Sequence, residues 1–552
     1  MTELLSAAQM RGIEQEAIQS GAVSGLELME RAGRGVCTAV FEEWPELSAG
    51  AHRAVVLCGP GNNGGDGFVI ARLLLGAKWD VQVHLYGDPA RLPPDARTNH
   101  DRWATTQEVL PFEPKKIFAG ARPDLIVDAV FGIGLSRPMP DVVAQGLNCT
   151  GMKTWNDAHK IKRVAVDCPS GLDLDNGRVP TDVDAGAKAG NAVPQTLNMA
   201  DLTVTFQAPK LGHYLALGPM VCGKLKVVDI GLEAFAVARR AILQNPDPER
   251  ARLAEPIVAG PATTPRMWLT SLMGKPGVPG HKYDFGHVAV FAGGVGHGGA
   301  ARLAARAALR SGAGLVTVLC PPAALIENAC QLNAIMLRSW KKDQQLSEVA
   351  DSRVTAFCLG PGMGVSERTC ATVIEVLGRR ADDSDTRDPA VVLDADALTS
   401  FADDPQRLFD HAHVRTILTP HDGEFARLFP DLSVSARGTM SKVDAVRHAA
   451  ARAGCIVLLK GPDTVIAEPS GGASVHAAAY GRDAPWLATA GAGDVLAGLI
   501  AGLSAPHTSG DLFAVAELAV YLHVECARSF GPGLIAEDLP EQLPKVFREF
   551  GL

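Results

Sequence analysis

The sequence lacks the features that mark membrane proteins, secreted proteins and zinc or disulfide scaffolds. No apolar run approaches the roughly 20 residues that a membrane-spanning helix needs. The first residues, MTELL, lack the basic region and apolar core of a secretory signal. The 11 cysteines include no C-x-x-C pair of the kind found in zinc sites and redox dithiols. We therefore expect reduced thiols in a cytoplasmic protein.

Clustered positive charge is also missing. The formal net charge is −9, and no run of Lys and Arg is long enough to form a basic surface. We therefore expect neither a nucleic-acid partner nor a membrane partner. Aromatic residues make up only 5% of the chain, whereas its 57 glycines indicate many tight turns between strands and helices.

The 552 residues are too many for one ordinary hydrophobic core, and the pattern favours two large domains. Short apolar runs alternate with helical patterns over residues 54–231 and again over residues 286–459. This alternation predicts two α/β domains with mostly parallel sheets that are covered on both faces. A concentration of Pro and Gly predicts a linker at residues 241–265, between domains at residues 1–240 and 266–552.

A glycine-rich loop, GPGNNGGDG at residues 59–67, lies between a predicted strand and a predicted helix. Glycines let backbone N–H groups approach an anion, and a helix N-terminus favours negative charge. The spacing of Gly59, Gly61 and Gly64 matches the G-x-G-x-x-G turn of dinucleotide-binding domains, for which Asp88 is a candidate acidic partner. However, the continuation NNGGD at residues 62–66 is more polar than such a turn requires.

Three further segments of the first domain fall at the ends of predicted strands: VDAVFGIGL at residues 127–135, VDCPSGLD at 166–173 and VTFQAPKLG at 204–212. Each Asp taken singly is as consistent with a turn cap as with catalysis. Taken with the glycine loop, these segments make residues 1–240 resemble the YjeF-related N-terminal family, the NAD(P)H-hydrate epimerases. The resemblance implies a Rossmann-like three-layer αβα domain. It also implies interconversion of the R and S epimers of NADHX and NADPHX, which are nicotinamide cofactors damaged by water addition to the reduced ring.

The same resemblance implies site residues and a cofactor. Asn63, Asp128 and Ser170 match the family's K⁺ ligands, whose oxygen donors suit a large hard cation. Asp128 is also expected to handle a proton at the hydrated carbon, with Lys210 assisting. The residues that match the hydrate-binding segments are Asn62, Asn63, Gly64, Gly65, Asp66, Gly132, Ile133, Gly134, Leu135, Ser136, Arg137, Pro138 and Asp167.

The second domain carries a different glycine loop, AGAGD at residues 490–494, which opens an apolar helical pattern. Its backbone would form an anion hole at the helix start, and Asp494 could deprotonate a hydroxyl that attacks a phosphoryl group. An Asp in such a loop could equally cap the helix. Further glycine-rich and acidic motifs at residues 293–300, 360–364, 393–398, 418–424 and 459–464 disfavour a role in capping alone.

Through these motifs, residues 266–552 resemble the ribokinase-like YjeF C-terminal family, the ADP- or ATP-dependent NAD(P)H-hydrate dehydratases. The resemblance implies a ribokinase-like αβα domain that phosphorylates the hydroxyl of S-NAD(P)HX and then eliminates phosphate, with Mg²⁺ at the nucleotide phosphates. Asp494 is the expected catalytic base. Ala490 and Ala492 depart from the family's common G-G-T-G-D, which removes a hydroxyl but spares the backbone. The residues that match the hydrate site are Ala300, Gly364, His421 and Asp494, and those that match the nucleotide site are Lys460, Gly461, Pro462, Asp463, Thr464 and Gly493.

The fusion of two such domains predicts a bifunctional repair enzyme, because the product of the first is the substrate of the second. Bacterial fused forms generally use ADP, so the expected donor is ADP, and the expected assembly is a homo-oligomer. Three alternatives stay open: a small-molecule kinase with a nucleotide-binding first half, a non-enzymatic protein whose first half is a scaffold, and a dehydrogenase. The polar loop at residues 59–67 disfavours the last of these.

Overall fold

The computed structural model describes residues 2–117, 121–135, 137–148, 161–180, 197–242, 251–255, 269–270, 272–273, 280–341, 344–350, 352–379, 388–506 and 510–552. The chain divides into two compact units, Thr2–Asn245 and Pro246–Leu552. Within the described ranges, every helix is too short or too polar to cross a membrane.

The predicted linker at residues 241–265 lies largely outside the described residues. Two of its described parts belong to regular elements: the helix Glu233–Ile242 runs past residue 240, and Ala251–Leu253 forms a strand of the second unit. The domain boundaries at residues 240 and 266 stay a prediction.

The first unit contains a seven-stranded sheet in the order β4-β3-β2-β5-β6-β7-β8, in which every neighbouring pair is parallel. The strands of this unit are β1 (Glu3–Leu4), β2 (Arg53–Cys58), β3 (Asp80–Leu85), β4 (Val109–Pro111), β5 (Leu125–Ala129), β6 (Lys162–Val166), β7 (Leu202–Phe206) and β8 (Lys224–Val228). Its α-helices are Ala7–Gln19, Gly25–Glu43, Asn62–Gly76, Pro94–Ala104, Pro114–Ile117, Asp141–Asn148, Leu211–Tyr214, Gly218–Val221 and Glu233–Ile242.

Both faces of this sheet are buried, which explains why its strands are continuously apolar. Side chains alternate between the two faces of a strand. Val56 packs into one hydrophobic cluster with the helix residues Phe68 and Ile70, whereas its neighbour Val55 packs into a second cluster with Val143. The predicted three-layer αβα fold of the first domain is therefore confirmed.

The second unit contains a larger sheet whose strands lie in the order β9-β18-β17-β16-β15-β14-β13-β10-β11-β12. Strand β17 is antiparallel to both β16 and β18, and the other neighbouring pairs are parallel. The strands are β9 (Ala251–Leu253), β10 (His287–Phe291), β11 (Leu315–Cys320), β12 (Met336–Ser339), β13 (Ala356–Leu359), β14 (Ala390–Leu393), β15 (Thr416–Leu418), β16 (Ile456–Leu459), β17 (Asp463–Ala467) and β18 (Ala473–Ala477). The α-helices are Gly299–Arg310, Leu325–Ala329, Leu346–Val349, Glu367–Leu377, Ala395–Thr399, Pro405–Phe409, Asp422–Leu428, Lys442–Ala453, Ala492–Ser504, Leu512–Phe530 and Asp538–Glu549.

Small residues fix the helix Ala492–Ser504 against the helix Gly299–Arg310. A Cβ added at Gly498 would lie 2.1 Å from the carbonyl oxygen of Ala304, so only glycine allows the two backbones to come this close. Because interiors are close-packed, this contact leaves the helix little freedom to shift. The first turn of this helix carries Asp494, which is thereby held in place.

Each sheet reverses its strand order at one point, and each reversal brings two glycine-rich loops together. In the first unit the order reverses between β2 and β5, and a Cβ added at Gly59 would lie 1.8 Å from the carbonyl oxygen of Val130. In the second unit the order reverses between β10 and β13, and a Cβ added at Gly293 would lie 1.8 Å from the carbonyl oxygen of Gly362. Open α/β sheets bind their ligands at such reversals, beyond the carboxyl ends of the strands.

Candidate active sites

The glycine loop of the first unit turns directly into the helix Asn62–Gly76. The backbone N–H of Gly59 donates to the carbonyl of Ala129 at 3.0 Å, which ties the loop to the end of β5. A Cβ added at Gly64 would lie 2.1 Å from the carbonyl oxygen of Gly59, so the loop closes on itself without room for a side chain. Asn62 to Asp66 thus form the first turn of the helix at the strand-order reversal.

Asp167 and Lys210 form a buried ion pair at the end of β6. Asp167 has φ +66°, a left-handed conformation that is uncommon for a residue with a side chain. The Lys210 Nζ donates to Asp167 Oδ1 at 3.0 Å, to Thr205 Oγ1 at 2.7 Å and to the Phe206 carbonyl at 3.1 Å. Burial alone would raise the pKa of Asp167, but the charges of Lys210 and His213 and the hydrogen bonds from Lys210 and Thr205 outweigh it, so the pKa is lowered.

Asp128 pairs with Ser170 rather than with Lys210. Its Oδ2 accepts from the Ser170 backbone N–H at 2.9 Å, and its Oδ1 accepts from the Ser170 hydroxyl at 2.6 Å and from the Val130 N–H at 3.3 Å. Burial raises the pKa of Asp128, and these hydrogen bonds oppose the rise. Two of the three predicted K⁺ ligands are therefore in direct contact.

The third predicted ligand, Asn63, lies near Gly132 and Asp167. A Cβ added at Gly132 would be 3.3 Å from Asn63 Oδ1 and 3.2 Å from Asp167 Oδ2. The buried Nδ2 of Asn63 has no hydrogen-bond partner among the described residues. A buried amide without a partner is costly, which indicates a group that is meant to meet a ligand.

The remaining predicted hydrate-binding residues follow β5 in a loop. The N–H of Ile133 donates to Asp167 Oδ2 at 3.2 Å, which joins this loop to the ion pair. Gly134, Arg137 and Pro138 are exposed and Leu135 is half-buried, whereas Ser136 lies outside the described residues. The structure therefore brings together Asn63, Gly132, Ile133 and Asp167.

Glu14 is a titratable residue near this site that the sequence analysis did not find. It lies on the helix Ala7–Gln19, and the preceding Leu5 exchanges backbone hydrogen bonds with Pro209 and Leu211, on either side of Lys210. Burial raises the pKa of Glu14 to about 7, with Lys210 and Arg11 lowering it and Asp167 raising it. Burial, followed by the charges of Glu14 and Asp167, also raises the pKa of Asp66 well above its usual value. No local motif marks Glu14, because residues far apart in the sequence create its surroundings.

The second site centres on Asp494 at the start of the helix Ala492–Ser504. The preceding Gly491 has φ +90°, which lets the chain turn sharply into the helix. Desolvation and, after it, the charge of Asp394 raise the pKa of Asp494 to about 6, although the charge of Lys460 lowers it. A carboxylate with a pKa near neutrality is suited to general base catalysis.

Lys460 lies beside this helix start. Its Nζ is hydrogen-bonded to Asp394, and a Cβ added at Gly493 would lie 3.4 Å from that nitrogen. The side chain of Lys460 is 18% exposed, whereas that of Asp394 is 2% exposed. The structure therefore joins three of the predicted residues, Lys460, Gly493 and Asp494, around one partly open position.

The predicted hydrate-binding glycine and alanine lie at the strand-order reversal. Gly364 has φ +84°, and its N–H donates to Asp396 Oδ2 at 2.9 Å. Ala300 is near the same loop, because a Cβ added at Gly362 would lie 3.7 Å from the Ala300 Cβ. The charge of Asp396 also raises the pKa of Asp494, which connects this loop electrostatically to the expected base.

His421 caps the helix Asp422–Leu428. Its Nδ1 accepts from the N–H of Gly423 at 2.9 Å and from that of Glu424 at 3.3 Å. The side chain is 56% exposed and can still contact a ligand. Glu424 is buried, and its charge is another that raises the pKa of Asp494.

The predicted nucleotide segment from Lys460 to Thr464 links β16 to β17. Lys442 holds it, because its Nζ donates to Asp463 Oδ1 at 2.7 Å and to the Asp463 carbonyl at 2.8 Å. The Thr464 hydroxyl donates to the Gly461 carbonyl at 2.9 Å, and the Pro462 carbonyl accepts from the N–H of Ala478 at 3.3 Å. No individual role was assigned to Asp394, Asp396 or Lys442 from the sequence. The LDADAL motif at residues 393–398 contains the first two of them.

Two family models match the chain, one for each unit. The model described as YjeF-related protein N-terminus matches residues 25–212. The model described as NAD(P)H-hydrate dehydratase matches residues 288–545. Fold and site together define a fusion of an epimerase-type domain and a ribokinase-like dehydratase-type domain.

Relatives of full length carry the same fusion. The chain is 34% identical over 567 residues to the bifunctional NAD(P)H-hydrate repair enzyme of Moorella thermoacetica, with 99% of this chain and 96% of that protein covered. It is 34% identical over 552 residues to the enzyme of that description from Coxiella burnetii, with 98% of each chain covered. The chain belongs to the family of bifunctional NAD(P)H-hydrate repair enzymes, which confirms the predicted family.

Single-domain proteins match each half separately. The NAD(P)H-hydrate epimerase of Roseobacter litoralis is 46% identical over 246 residues, which cover 42% of this chain and 100% of that protein. The ADP/ATP-dependent NAD(P)H-hydrate dehydratase of Bacillus subtilis, co-crystallised with ATP and Mg²⁺, is 27% identical, with 52% of this chain and 97% of that chain covered and a TM-score of 0.41.

Proposed function

We propose that the chain repairs hydrated nicotinamide cofactors in two steps. Residues 1–240 interconvert the R and S epimers of NADHX and NADPHX, and residues 266–552 convert the S epimer to NADH or NADPH with ADP as phosphoryl donor, giving AMP and phosphate. The observation that carries the dehydratase assignment is Asp494, a carboxylate with a pKa raised to about 6 at a glycine-rich helix start beside Lys460.

In the dehydratase step, Asp494 takes the proton from the substrate hydroxyl as its oxygen attacks the terminal phosphorus of the nucleotide. A new O–P bond forms, and the bond from that phosphorus to the AMP oxygen breaks. The ring nitrogen lone pair then expels phosphate from the neighbouring carbon, and loss of a proton from the next carbon restores the reduced ring. Lys460 and the N–H groups of the helix start would bind the phosphoryl oxygens.

The nucleotide-binding residues in this proposal are those of the loop between β16 and β17 together with Gly493. They are Lys460, Gly461, Pro462, Asp463, Thr464 and Gly493. The hydrate would contact Ala300, Gly364, His421 and Asp494. Mg²⁺ is usually held through nucleotide phosphates and water rather than by a protein cage. This agrees with the described residues, among which no group of three or more His, Cys, Asp or Glu side chains could hold a metal ion.

In the epimerase step, the hydrate would bind between the helix start at Asn62 to Asp66 and the loop after β5. Asp167 lies at this position, because its Oδ2 is 3.2 Å from a Cβ added at Gly132, and Lys210 keeps it ionised. We therefore propose that Lys210 acts through Asp167. The proton-handling role stays with Asp128, which is buried beside the same loop and whose Oδ1 accepts from the Val130 N–H.

A potassium ion fits the oxygen donors of the first site. The carboxylate of Asp128 and the hydroxyl of Ser170 are in contact at 2.6 Å, and the amide oxygen of Asn63, 3.3 Å from a Cβ added at Gly132, would be the third donor. When bound, K⁺ would supply positive charge that neutralises the buried carboxylate of Asp128. The chain itself would orient these donors, since Ser170 holds both oxygens of Asp128.

We further propose a cytoplasmic homo-oligomer whose ligands are small molecules, with neither nucleic acid nor membrane as partner. The net charge of −9 supports the absence of a polyanionic partner. Sedimentation velocity of the purified protein tests the oligomer. A single monomeric species at micromolar concentration would contradict it.

One assay tests both activities. Purified protein receives a mixture of R- and S-NADHX with Mg²⁺ and K⁺, plus ADP or ATP, and the recovery of reduced-nicotinamide absorbance is followed together with chromatography of each epimer. We expect complete recovery of both epimers with ADP. Asp494→Asn should stop recovery while leaving epimer exchange intact, and Asp128→Asn should slow exchange while leaving dehydration of the S epimer intact.

Other outcomes would assign a different function. Recovery of the S epimer alone would remove the epimerase assignment. A stable phosphorylated product without recovery of the reduced cofactor would favour the small-molecule kinase.

A further inference from the structure

Asp394 is the buried partner of Lys460, and its position is fixed by the backbone around it. The N–H of Asp394 donates to the Leu359 carbonyl at 3.0 Å. A Cβ added at Gly360 would lie 1.7 Å from the Asp394 carbonyl oxygen, so the two loops touch. The next residue, Ala395, has φ +46°, a conformation that costs energy for alanine and needs surrounding contacts to maintain it. This carboxylate is therefore held rigidly.

The Oδ1 of Asp394 accepts a hydrogen bond from the Lys460 ammonium. Its 2% exposure removes it from water, so its negative charge depends on the ammonium for compensation. Among the described residues, Asp394 is the single hydrogen-bond partner of the Lys460 Nζ. A lysine ammonium has three donors, so two of them are free to meet an anion.

The ion pair of Asp394 and Lys460 also affects the pKa of Asp494. Besides Asp394, the acidic groups Asp396 and Glu424 raise its pKa, and Lys460 is the cation that lowers it. Without Asp394, the ammonium of Lys460 would be free to pair with Asp494, whose pKa its charge already lowers. An ion pair between Lys460 and Asp494 would neutralise the expected base.

We propose that Asp394 is a positioning residue of the dehydratase, which holds the Lys460 ammonium beside Gly493 for the transferred phosphoryl group and keeps it from pairing with Asp494. The inference rests on the proposed dehydratase function. It assigns to the first Asp of the LDADAL motif a role that acts through Lys460 rather than through contact with the substrate.

Asp394→Asn tests the inference, because it keeps the shape of the side chain and removes its charge. We expect the KM for the nucleotide to rise about tenfold, since the carboxylate that anchors the Lys460 ammonium is replaced by a neutral, weaker acceptor. The KM for S-NADHX should change less than about twofold. The acid limb of the kcat profile should move to lower pH, because a negative charge that raises the pKa of Asp494 is removed and the ammonium of Lys460 is released toward it.

A double-mutant cycle separates positioning from structure. Lys460→Met removes the group on which Asp394 is proposed to act, so adding Asp394→Asn to it should change the nucleotide KM no further. Additive effects of the two substitutions on the nucleotide KM would overturn the inference, as would an Asp394→Asn variant with an unchanged nucleotide KM.

A matched control tests whether the loss of any buried, paired carboxylate in this unit has the same effect as Asp394→Asn. Glu517 has a side-chain exposure of 6% and pairs with Arg252 at 2.6 Å in the same unit, away from the residues of the site. Glu517→Gln should lower the melting temperature without a selective change in the nucleotide KM or the pH profile. Failure of the wild-type chain to dehydrate S-NADHX would overturn the proposed function instead, and circular dichroism spectra that match the wild type would show that each variant is folded.

Discussion

The two units each contain a Lys–Asp pair at the carboxyl end of a parallel sheet, but the two lysines are used in opposite ways. Lys210 is 1% exposed, and its ammonium donates to Asp167, to Thr205 and to the Phe206 carbonyl. Lys460 is 18% exposed, and its ammonium has Asp394 as its hydrogen-bond partner within the described part of the chain. All three donors of Lys210 are occupied, whereas two donors of Lys460 remain available.

The difference shows how the same pair of residue types serves two chemistries. A lysine with every donor filled is a fixed positive charge, and its effect is to keep Asp167 ionised in a buried place. A lysine with unfilled donors beside a helix start can receive the oxygens of a phosphoryl group. In the proposed epimerase step the chain handles a proton at the hydrated carbon, so a fixed charge suffices there. The dehydratase must bind a transferring group.

The largest effect that we expect is a loss of dehydratase activity when the Lys460 ammonium is removed. Lys460→Met should lower kcat/KM for dehydration by about 100-fold to 1,000-fold, because the site loses a positive charge directed at the transferring phosphoryl group. Epimer exchange in the same variant should be unchanged, because its residues belong to the other unit. Initial rates with S-NADHX and ADP, and chromatography of the epimers without nucleotide, measure the two activities. A loss of less than about fivefold would contradict a role in phosphoryl binding.

The corresponding substitution in the pair of Asp167 and Lys210 should mainly lower the free energy of unfolding. Lys210→Met leaves Asp167 buried with an uncompensated charge, which costs about 3–5 kcal/mol in free energy of unfolding. Equilibrium urea unfolding measures this cost. Lys224→Met is the matched control, because Lys224 forms an exposed pair with Glu43 that should contribute less than about 1 kcal/mol. Equal stability of the two variants would show that Lys210 is not the fixed charge that the contacts indicate.

The strands and loops that carry this comparison could largely be predicted from the sequence. The apolar runs at residues 125–130 and 356–359 predict two strands, and the observed β5 (Leu125–Ala129) and β13 (Ala356–Leu359) match them to within one residue, because strands buried on both faces are continuously apolar. The antiparallel pair β17 and β18 was not predicted. It breaks the alternation of strand and helix on which the prediction relied, since the two strands follow each other without a helix between them.

The partners within each site could not be predicted from the sequence. The VDCPSGLD and QAPK motifs identify Asp167 and Lys210 as candidates, yet only the fold shows that Lys210 contacts Asp167 and that Asp128 contacts Ser170 instead. The same holds for Glu14, which is 153 positions from Asp167 in sequence number and reaches the site because backbone hydrogen bonds of Leu5 tie the chain start to Pro209 and Leu211. Pairings of this kind depend on tertiary contacts that local patterns do not encode.

Glu14 provides a test, with a smaller expected effect, of whether the charge of Lys210 is used mainly by Asp167 and not by a second buried carboxyl. Burial raises the folded-state pKa of Glu14 from 4.5 to about 7, and Lys210 does not offset this rise. Between these two pH values the folded chain holds a proton that the unfolded chain releases, so stability falls as the pH rises through this window. Glu14→Gln should therefore match the wild type near pH 4.5 and exceed its free energy of unfolding by about 1–3 kcal/mol at pH 8. Urea unfolding at both pH values measures the difference, with the exposed Glu16→Gln on the same helix as control. A difference independent of pH would show that Glu14 is not a burial-shifted carboxyl.

The smallest effect concerns His421, which lies at the edge of the Lys460 site and has two proposed roles. Its Nδ1 caps the helix Asp422–Leu428, and loss of such a cap costs about 1 kcal/mol. His421→Ala should show that cost in urea unfolding, whereas His421→Asn should restore stability because Asn is an effective cap. If the exposed imidazole also binds the hydrate, His421→Asn will keep the stability of the wild type and still raise the KM for S-NADHX. A wild-type KM in that variant would confine His421 to the cap and leave Lys460 and Asp494 as the charged contacts of the substrate and nucleotide.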